Sequence, residues 1–387
     1  MGNKKAFLSA FFALLLLLNL PRNSIPSFTR EMICSMTLYP SGWYIGWQNK
    51  TQKEDLITKG MYRPKNILPT RFQMFNDSIF VALPRFRCGV PFSLGMLDFK
   101  DFCKAEPLMY PYPSWFANRY DSDDSVHNAV DLIVDLNGIL WVLDTGVINT
   151  LTSPKIVDMP RVIGYCLKTA KVVHIVNLSP FVTDKSRFQY IEVETYQRQT
   201  FIYVSDAGSN LIIVWDTTRG QGFKVLLPNN VRDGAHSPKD AVLYVALLKG
   251  RCNGSFLYFT YLHGKKLFHI DTQNLRSGKT TGGIEEDGVK PGRIVLLGTD
   301  HGTTLFFRIR GKADIYMWNS TQEFRSENLI LAQPIDNGRF PTHVTSGYRS
   351  LIWTLESNFP DFMEDRVNEL GPSAKIHPTI KFCGEEI

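Results

Sequence analysis

Six times along this chain an aliphatic residue is followed by an aromatic one inside a short apolar run: Ile79-Phe80, Leu140-Trp141, Ile202-Tyr203, Leu257-Tyr258, Leu305-Phe306 and Ile352-Trp353. The aromatics are separated by 61, 62, 55, 48 and 47 residues. A period of about 50 residues is what radial or solenoid repeats produce, because one supersecondary unit recurs and stacks on its neighbours. Two copies extend over seven positions, Leu140-Trp141-Val142-Leu143-Asp144-Thr145-Gly146 and Ile202-Tyr203-Val204-Ser205-Asp206-Ala207-Gly208. Each unit is rich in β-branched and aromatic residues and is closed by Gly, Asp or Asn, so each reads as a small antiparallel sheet. Six such sheets around an axis predict an all-β chain, a six-bladed β-propeller in one domain.

The repeat overrides the division into several domains that a chain of 387 residues would otherwise suggest. Blade-like units fall at 76–115, 129–180, 188–230, 239–275, 293–322 and 341–383, so the propeller is expected over 76–387. Residues 25–75 form a lead-in that packs on the ring or supplies its closing strand. Ser277–Gly292 holds five glycines and is expected to be a mobile excursion. Before the lead-in, Lys4 and Lys5 precede an apolar run from Ala6 to Leu18 that Pro21 breaks. That run is short for a bilayer span, so residues 1–24 are expected to be a cleaved secretory signal and the mature protein extracellular.

Secretion changes how the cysteines read. Cys34, Cys88, Cys103, Cys166, Cys252 and Cys383 all survive signal removal, and none lies at a C-x-x-C or zinc spacing, so disulfides are expected. Cys88 and Cys103 flank an expected strand–turn–strand and make the first pair. Cys34 and Cys383 lie near the two ends, which a closed ring brings together, leaving Cys166 with Cys252. Sequons at Asn49, Asn76, Asn177, Asn253 and Asn319 are candidate glycosylation sites. Removing Lys4 and Lys5 lowers the formal charge from +6 to +4. No basic run marks a nucleic-acid face, and no second apolar run could span a membrane.

The chemistry-bearing residues are sparse. There is no G-x-S-x-G elbow, H-E-x-x-H or phosphate loop, and no cofactor is implied. Asp121, Asp123 and Asp124 lack the rest of a calcium loop. Asp144 and Asp206 are the most regular acids, each just ahead of a small residue and a glycine. A short carboxylate there can accept turn N–H groups; the alternative places it at the mouth of the central channel, paired with a ligand ammonium.

At Leu108-Met109-Tyr110-Pro111-Tyr112-Pro113-Ser114-Trp115, with Ala82–Leu94 and Leu140–Gly146, the sequence resembles the insect yellow / major royal jelly protein family. The resemblance runs over about residues 40–360 and implies a secreted six-bladed propeller. It leaves open a matrix component of cuticle or eggshell, a binder of small aromatic amines or catechols, and a dopachrome-converting tautomerase. Asn337 and Phe340 resemble the family's channel-facing Asn/Phe region and Phe307 its L-F-F strand, so these three, with Asp144, are the expected ligand contacts. A stacking ring and a hydrogen-bonding amide or acid suit an aromatic amine. A tautomerase would need a base and an oxyanion partner, for which His343, Asp144 and Glu356 are the candidates. A calcium-dependent lactonase would draw on Asp131 and Asn337. The family's longer polar segment with a Gln-Ser pair is reduced here to Gly298–Gly302, which removes part of the usual ligand rim.

Overall fold

The computed structural model describes residues 36–104, 107–120, 122, 125–233, 241–250, 254–280, 282–335 and 337–379. The expected signal, Cys34, Cys252, Cys383, Asn253, Asp121, Asp123, Asp124 and the side chain of Cys103 lie outside what is described.

Six antiparallel sheets follow one another along the chain. Blade I comprises β1 (Arg71–Phe75), β2 (Ser78–Ala82), β3 (Leu94–Asp98) and β4 (Tyr110–Pro111). Blade II begins with β5 (Ala129–Val134) and β6 (Ile139–Asp144); after a small ribbon of β7 (Val147–Ile148) and β8 (Lys155–Ile156) it continues with β9 (Arg161–Cys166) and β10 (Lys171–Asn177). Blade III holds β11 (Phe188–Tyr196), β12 (Gln199–Asp206), β13 (Leu211–Asp216) and β14 (Gln221–Leu226). Blade IV holds β15 (Leu243–Lys249), β16 (Ser255–Tyr261), β17 (Lys266–Asp271) and β18 (Ile284–Val289). Blade V holds β19 (Ile294–Thr299), β20 (Thr304–Ile309), β21 (Ile315–Asn319) and β22 (Ile330–Gln333). Blade VI holds β23 (Phe340–Ser346), β24 (Ile352–Ser357) and β25 (Ala374–Pro378). The first strands touch in the order β1, β5, β11, β15, β19, β23 and back to β1, closing the ring.

The repeated aliphatic–aromatic pair occupies the second strand of every blade, where both faces are covered by neighbouring blades. Successive side chains point to opposite faces of a strand. The aromatic therefore meets one neighbour and the aliphatic the other. Phe80 shares a cluster with Leu140, Trp141 with Ile202, Tyr203 with Leu257, Tyr258 with Leu305, and Phe306 with Ile352. At the sixth interface the Trp353 ring lies 5.8 Å from that of Phe99. The pair is thus the unit of blade-to-blade packing.

The acid and glycine that follow the pair close the blade. Asp144 is fully buried, and its carboxylate accepts from the backbone N–H groups of His127 (3.0 Å), Asn128 (2.8 Å) and Gly146 (3.1 Å). Asp206 accepts from Arg187 (2.6 Å) and Ser209 (3.2 Å). Gly146, at φ +65°, leaves no room for a Cβ against the Asp158 carbonyl, and Gly208 leaves none against that of Lys185.

The seam between blades VI and I is clamped from outside by the lead-in. Leu38 and Ile376 exchange two backbone hydrogen bonds of 2.9 Å, so residue 38 adds a one-residue fourth strand to β25. A few residues on, Tyr44 and Gly46 bond to both sides of Met109, beside β4 of blade I.

Three expectations change. β1 lies within the expected lead-in: its alternate residues Arg71 and Gln73 face the axis and are polar, which masks the strand. Ser277–Gly292 is no excursion, because it contains β18, paired with β17 from Lys266 opposite Val289 to Ile270 opposite Ile284. Its polarity is that of an outermost strand. Finally, Cys88 and Cys166 are free thiols. The hairpin sets Ala82 opposite Leu94 and Ser78 opposite Asp98. Cys88 lies beyond one end of it and Cys103 follows the other. The intervening strand spans about 13 Å, whereas a disulfide needs Cα atoms within about 7 Å. Cys166 ends β9 in blade II, and its expected partner Cys252 lies outside the described residues.

Asp144→Ala should destabilise the fold by about 3 kcal/mol, since it strands three buried N–H groups. Asp206→Ala, which strands two, should cost less. Urea unfolding monitored by tryptophan fluorescence checks both values; equal, sub-kilocalorie losses would contradict the role given to these carboxylates.

Candidate functional site

Each inner strand carries polar residues among apolar neighbours, and the ring turns them toward one another. Arg71 of β1 donates to the Thr342 carbonyl of β23 at 3.0 Å and lies 3.6 Å from the Asp131 carboxylate of β5. The other oxygen of Asp131 accepts from the Ile191 N–H of β11 at 3.0 Å. The Arg71 guanidinium stands 4.9 Å from the centre of the Tyr190 ring, and Tyr190 lies against Tyr244 of β15 with ring centres 5.0 Å apart. Arg308, at the end of β20, interacts with Tyr244 and donates to the Pro341 carbonyl of β23 at 3.0 Å. These contacts form a closed circuit through all six blades. What remains at the axis is a cavity of about 40 Å³, bordered also by Glu192, His301 and His343. That is room for a few waters.

Burial raises the Asp131 carboxyl to about 6, against the pull of Arg71 and the two backbone donors. Burial, with the charge of Asp131, pushes Glu192 well above the usual carboxylate range. For Arg71, burial alone would weaken the cation, but Asp131 and the two tyrosines outweigh it. His343 accepts from the Phe72 N–H at 3.3 Å. Burial, together with the Arg71 cation and the His301 ring beside it, holds its imidazole well below the ordinary value and so neutral.

The expected ligand contacts do not converge on this axis. Phe307 is fully buried between blades IV and V, stacked on Tyr316 with ring centres 5.9 Å apart. Asp144 is committed to its three turn N–H groups, with Arg161 at 3.5 Å. Phe340 does stand at one mouth of the channel, but the Arg308 guanidinium lies 5.4 Å from its ring centre. Asn337 is exposed and donates to Glu356 at 2.9 Å. Glu356 also receives His377 at 2.6 Å. Burial would raise the Glu356 carboxyl, but His377 and Asn337 outweigh it and hold it below the usual range. The candidate base and acids His343, Asp144 and Glu356 are thus each engaged in separate structural contacts. Asp131 and Asn337, the lactonase candidates, are likewise engaged separately, and among the described residues no group of three or more His, Cys, Asp or Glu converges as a metal site. Of the sequons, Asn49, Asn76 and Asn177 are exposed and Asn319 is half-buried.

Sequence reasoning missed Arg71, Tyr190, Glu192, Tyr244 and Arg308. The available signal was a charge flanked on both sides by large apolar residues, as in Phe306-Phe307-Arg308-Ile309 and Tyr190-Ile191-Glu192-Val193.

Two axial groups pull stability in opposite directions with pH. His343 refuses a proton that the unfolded chain accepts, so its contribution is present above the unfolded pKa near 6.5 and is lost as pH falls through it. Asp131 takes a proton near pH 6 that the unfolded chain declines, so its burial cost, present at neutral pH, fades as pH falls. His343→Asn keeps an acceptor for Phe72 but no titratable ring. Between pH 7 and 5 it should lose about 2 kcal/mol less stability than the wild type, read from urea unfolding at both values; an unchanged pH slope would contradict a neutral buried His343.

Comparison with known proteins places this geometry. The family model "Major royal jelly protein" matches residues 127–371. Major royal jelly protein 1 of Apis mellifera is 26% identical over 304 residues, covering 72% of this chain and 68% of that protein. Protein yellow of Drosophila madeirensis is 26% identical over 348 residues, covering 81% of this chain and 60% of that protein. The chain thus spans only about three fifths of the length of the yellow proteins it matches. Among solved structures, an α-L-arabinofuranosidase of Fusarium graminearum aligns with a TM-score of 0.50 at 12% identity, covering 82% of this chain and 94% of that one. A likeness at that identity speaks to the propeller fold alone. The six blades, the aliphatic–aromatic repeat and the family match together establish that the chain belongs to the major royal jelly protein family, alongside the yellow proteins.

Proposed function

We propose that this yellow-like propeller is a secreted, non-enzymatic structural component of an extracellular matrix such as cuticle or eggshell. The observation that carries the reading is the filled axis. Ligand pockets run to about 300 Å³ or more, whereas the axial cavity holds about 40 Å³. The space in which an aromatic amine or catechol would sit between the inner strands is taken by Arg71, Asp131, Tyr190 and Tyr244. At the Phe340 mouth the ring is already shared with the Arg308 cation, which repels an ammonium.

Dopachrome conversion is disfavoured on chemical grounds. It asks for a base and an oxyanion donor converging on one ring. His343 is held neutral with its Nδ1 turned to a backbone N–H, Glu356 is saturated by His377 and Asn337, and Asp144 is sealed in its turn.

Calorimetric titration with dopamine and serotonin should give no heat above dilution, and dopachrome should decay at the buffer rate. Extraction of the secreting tissue should leave the protein in the insoluble matrix fraction. Binding that Phe340→Ala weakens tenfold, or accelerated dopachrome decay, would overturn the structural reading.

A further inference from the structure

At the end of the axis opposite Phe340 the ring opens into a funnel of about 800 Å³. Its wall comes from the ends of the inner strands of blades I, II, V and VI, and from the turns that follow them. Gln73 and His301 border both the funnel and the axial cavity, so they form its floor. His301 is anchored by its Nε2, 3.2 Å from the Thr345 hydroxyl, and the residue remains exposed. Asn76 and His301, both in the wall, adopt φ of +50° and +58°, as does Ser350 at +56°.

The wall is mixed: Met74, Val134, Leu351 and Ile352 stand among its rings and hydrogen-bonding groups. Phe75, Tyr348 and His301 supply ring surface. Among the described residues, the amide of Asn76 and the hydroxyls of Ser346 and Ser350 have no protein partner. The single carboxylate of the wall, Asp300, is committed through its Oδ1 to the N–H groups of Gly302 (2.8 Å) and Thr304 (3.0 Å). Two cations flank it: Lys249 beside His301, and Arg349 at 5.2 Å from the Tyr348 ring centre. The wall thus lacks the net charge to select an ion and offers apolar surface and hydrogen-bonding groups side by side. It suits a neutral molecule rich in hydroxyls that also presents an apolar ring face.

We propose that the funnel is a saccharide-binding site. Two sources share that chemistry. Asn76-Asp77-Ser78 is a sequon, and Asn76 is itself part of the wall, so the first sugars of a glycan on Asn76 would lie inside the funnel. A free oligosaccharide would enter from solvent. The site does not depend on the matrix role and stands or falls separately from it.

The test uses the full chain secreted from insect cells. Glycopeptide mass spectrometry reads occupancy at Asn49, Asn76 and Asn177, and a peptide N-glycosidase time course on native protein reads accessibility. Saturation-transfer NMR with N,N′-diacetylchitobiose is then run on the deglycosylated protein. If the chain's own glycan fills the funnel, release at Asn76 should be at least tenfold slower than at Asn49 and Asn177, and Tyr348→Ala should abolish the lag. If the ligand is exogenous, Asn76 is bare and the disaccharide receives saturation, with affinity at least tenfold weaker in Tyr348→Ala and unchanged in Phe340→Ala at the far mouth. Because Tyr348 also packs on Phe99, Ser346→Leu, which narrows the wall without removing a ring, must give the same loss. Release at Asn76 as fast as at the other two sites, or a bare Asn76, combined with no saturation of the disaccharide, would overturn the proposal.

Discussion

The fold depends on how a ring of six sheets fills its own centre. Inner strands converge there, and an apolar axis would be the simple solution. This chain instead buries a cation, Arg71, beside the carboxylate of Asp131 and against the face of Tyr190, which in turn packs on Tyr244. Taking such charges out of water is costly, and the cost is recovered only when geometry and hydrogen bonding are good. Here the lone pairs of Asp131 are met by Arg71, by Ile191 and by its own neighbour Leu132, while Arg71 also reaches the Thr342 carbonyl. The circuit joins each blade to the next, so no member can be removed without leaving a buried polar group unpaired.

Away from the axis the chain follows the opposite strategy. Blade-to-blade contact is largely apolar and is made by the repeated aliphatic–aromatic pair, joined between blades III and IV by the buried carboxylate of Glu194, which accepts from Tyr203, Thr272 and Arg276. Asp144 and Asp206 cap backbone with side-chain oxygens, and Arg85 does it in reverse. Fully buried, Arg85 donates to the carbonyls of Val90, Val126, His127, Pro91 and Asn118, and its guanidinium lies 3.9 Å from the Tyr120 ring centre. A single side chain thereby fixes the loop between β2 and β3 to the entry of blade II.

How much of this could be read in advance depended on whether the signal was local. The aliphatic–aromatic pair lies in one strand and repeats, so Phe80, Trp141, Tyr203, Tyr258, Phe306 and Trp353 marked the six blades without reference to space. The axis could not be read the same way, since Arg71, Asp131, Tyr190 and Arg308 come from four blades and acquire meaning only when the ring closes. β1 escaped notice for the same reason: its polar residues look like loop until the axis receives them. Phe307 misled in the other direction, because Phe306-Phe307 places one ring on each face of a strand that is covered on both. The disulfide expectation failed on register, since spacing along the chain does not reveal that Cys88 and Cys103 sit at opposite ends of one hairpin.

The bond between Leu38 and Ile376 has a consequence for the order of folding. These partners are 338 positions apart, so their encounter carries a far larger loop-closure entropy than any hairpin inside a blade. Local β-hairpins form quickly, whereas contacts between distant positions come late. During synthesis five blades and most of the sixth can assemble as an open arc, with the seam faces of blades I and VI still wet. The seam is latched only when residue 376 has left the ribosome and found a strand made long before. Until β25 arrives, the outer edge of β24 has no partner, and through it a neighbouring nascent chain could insert.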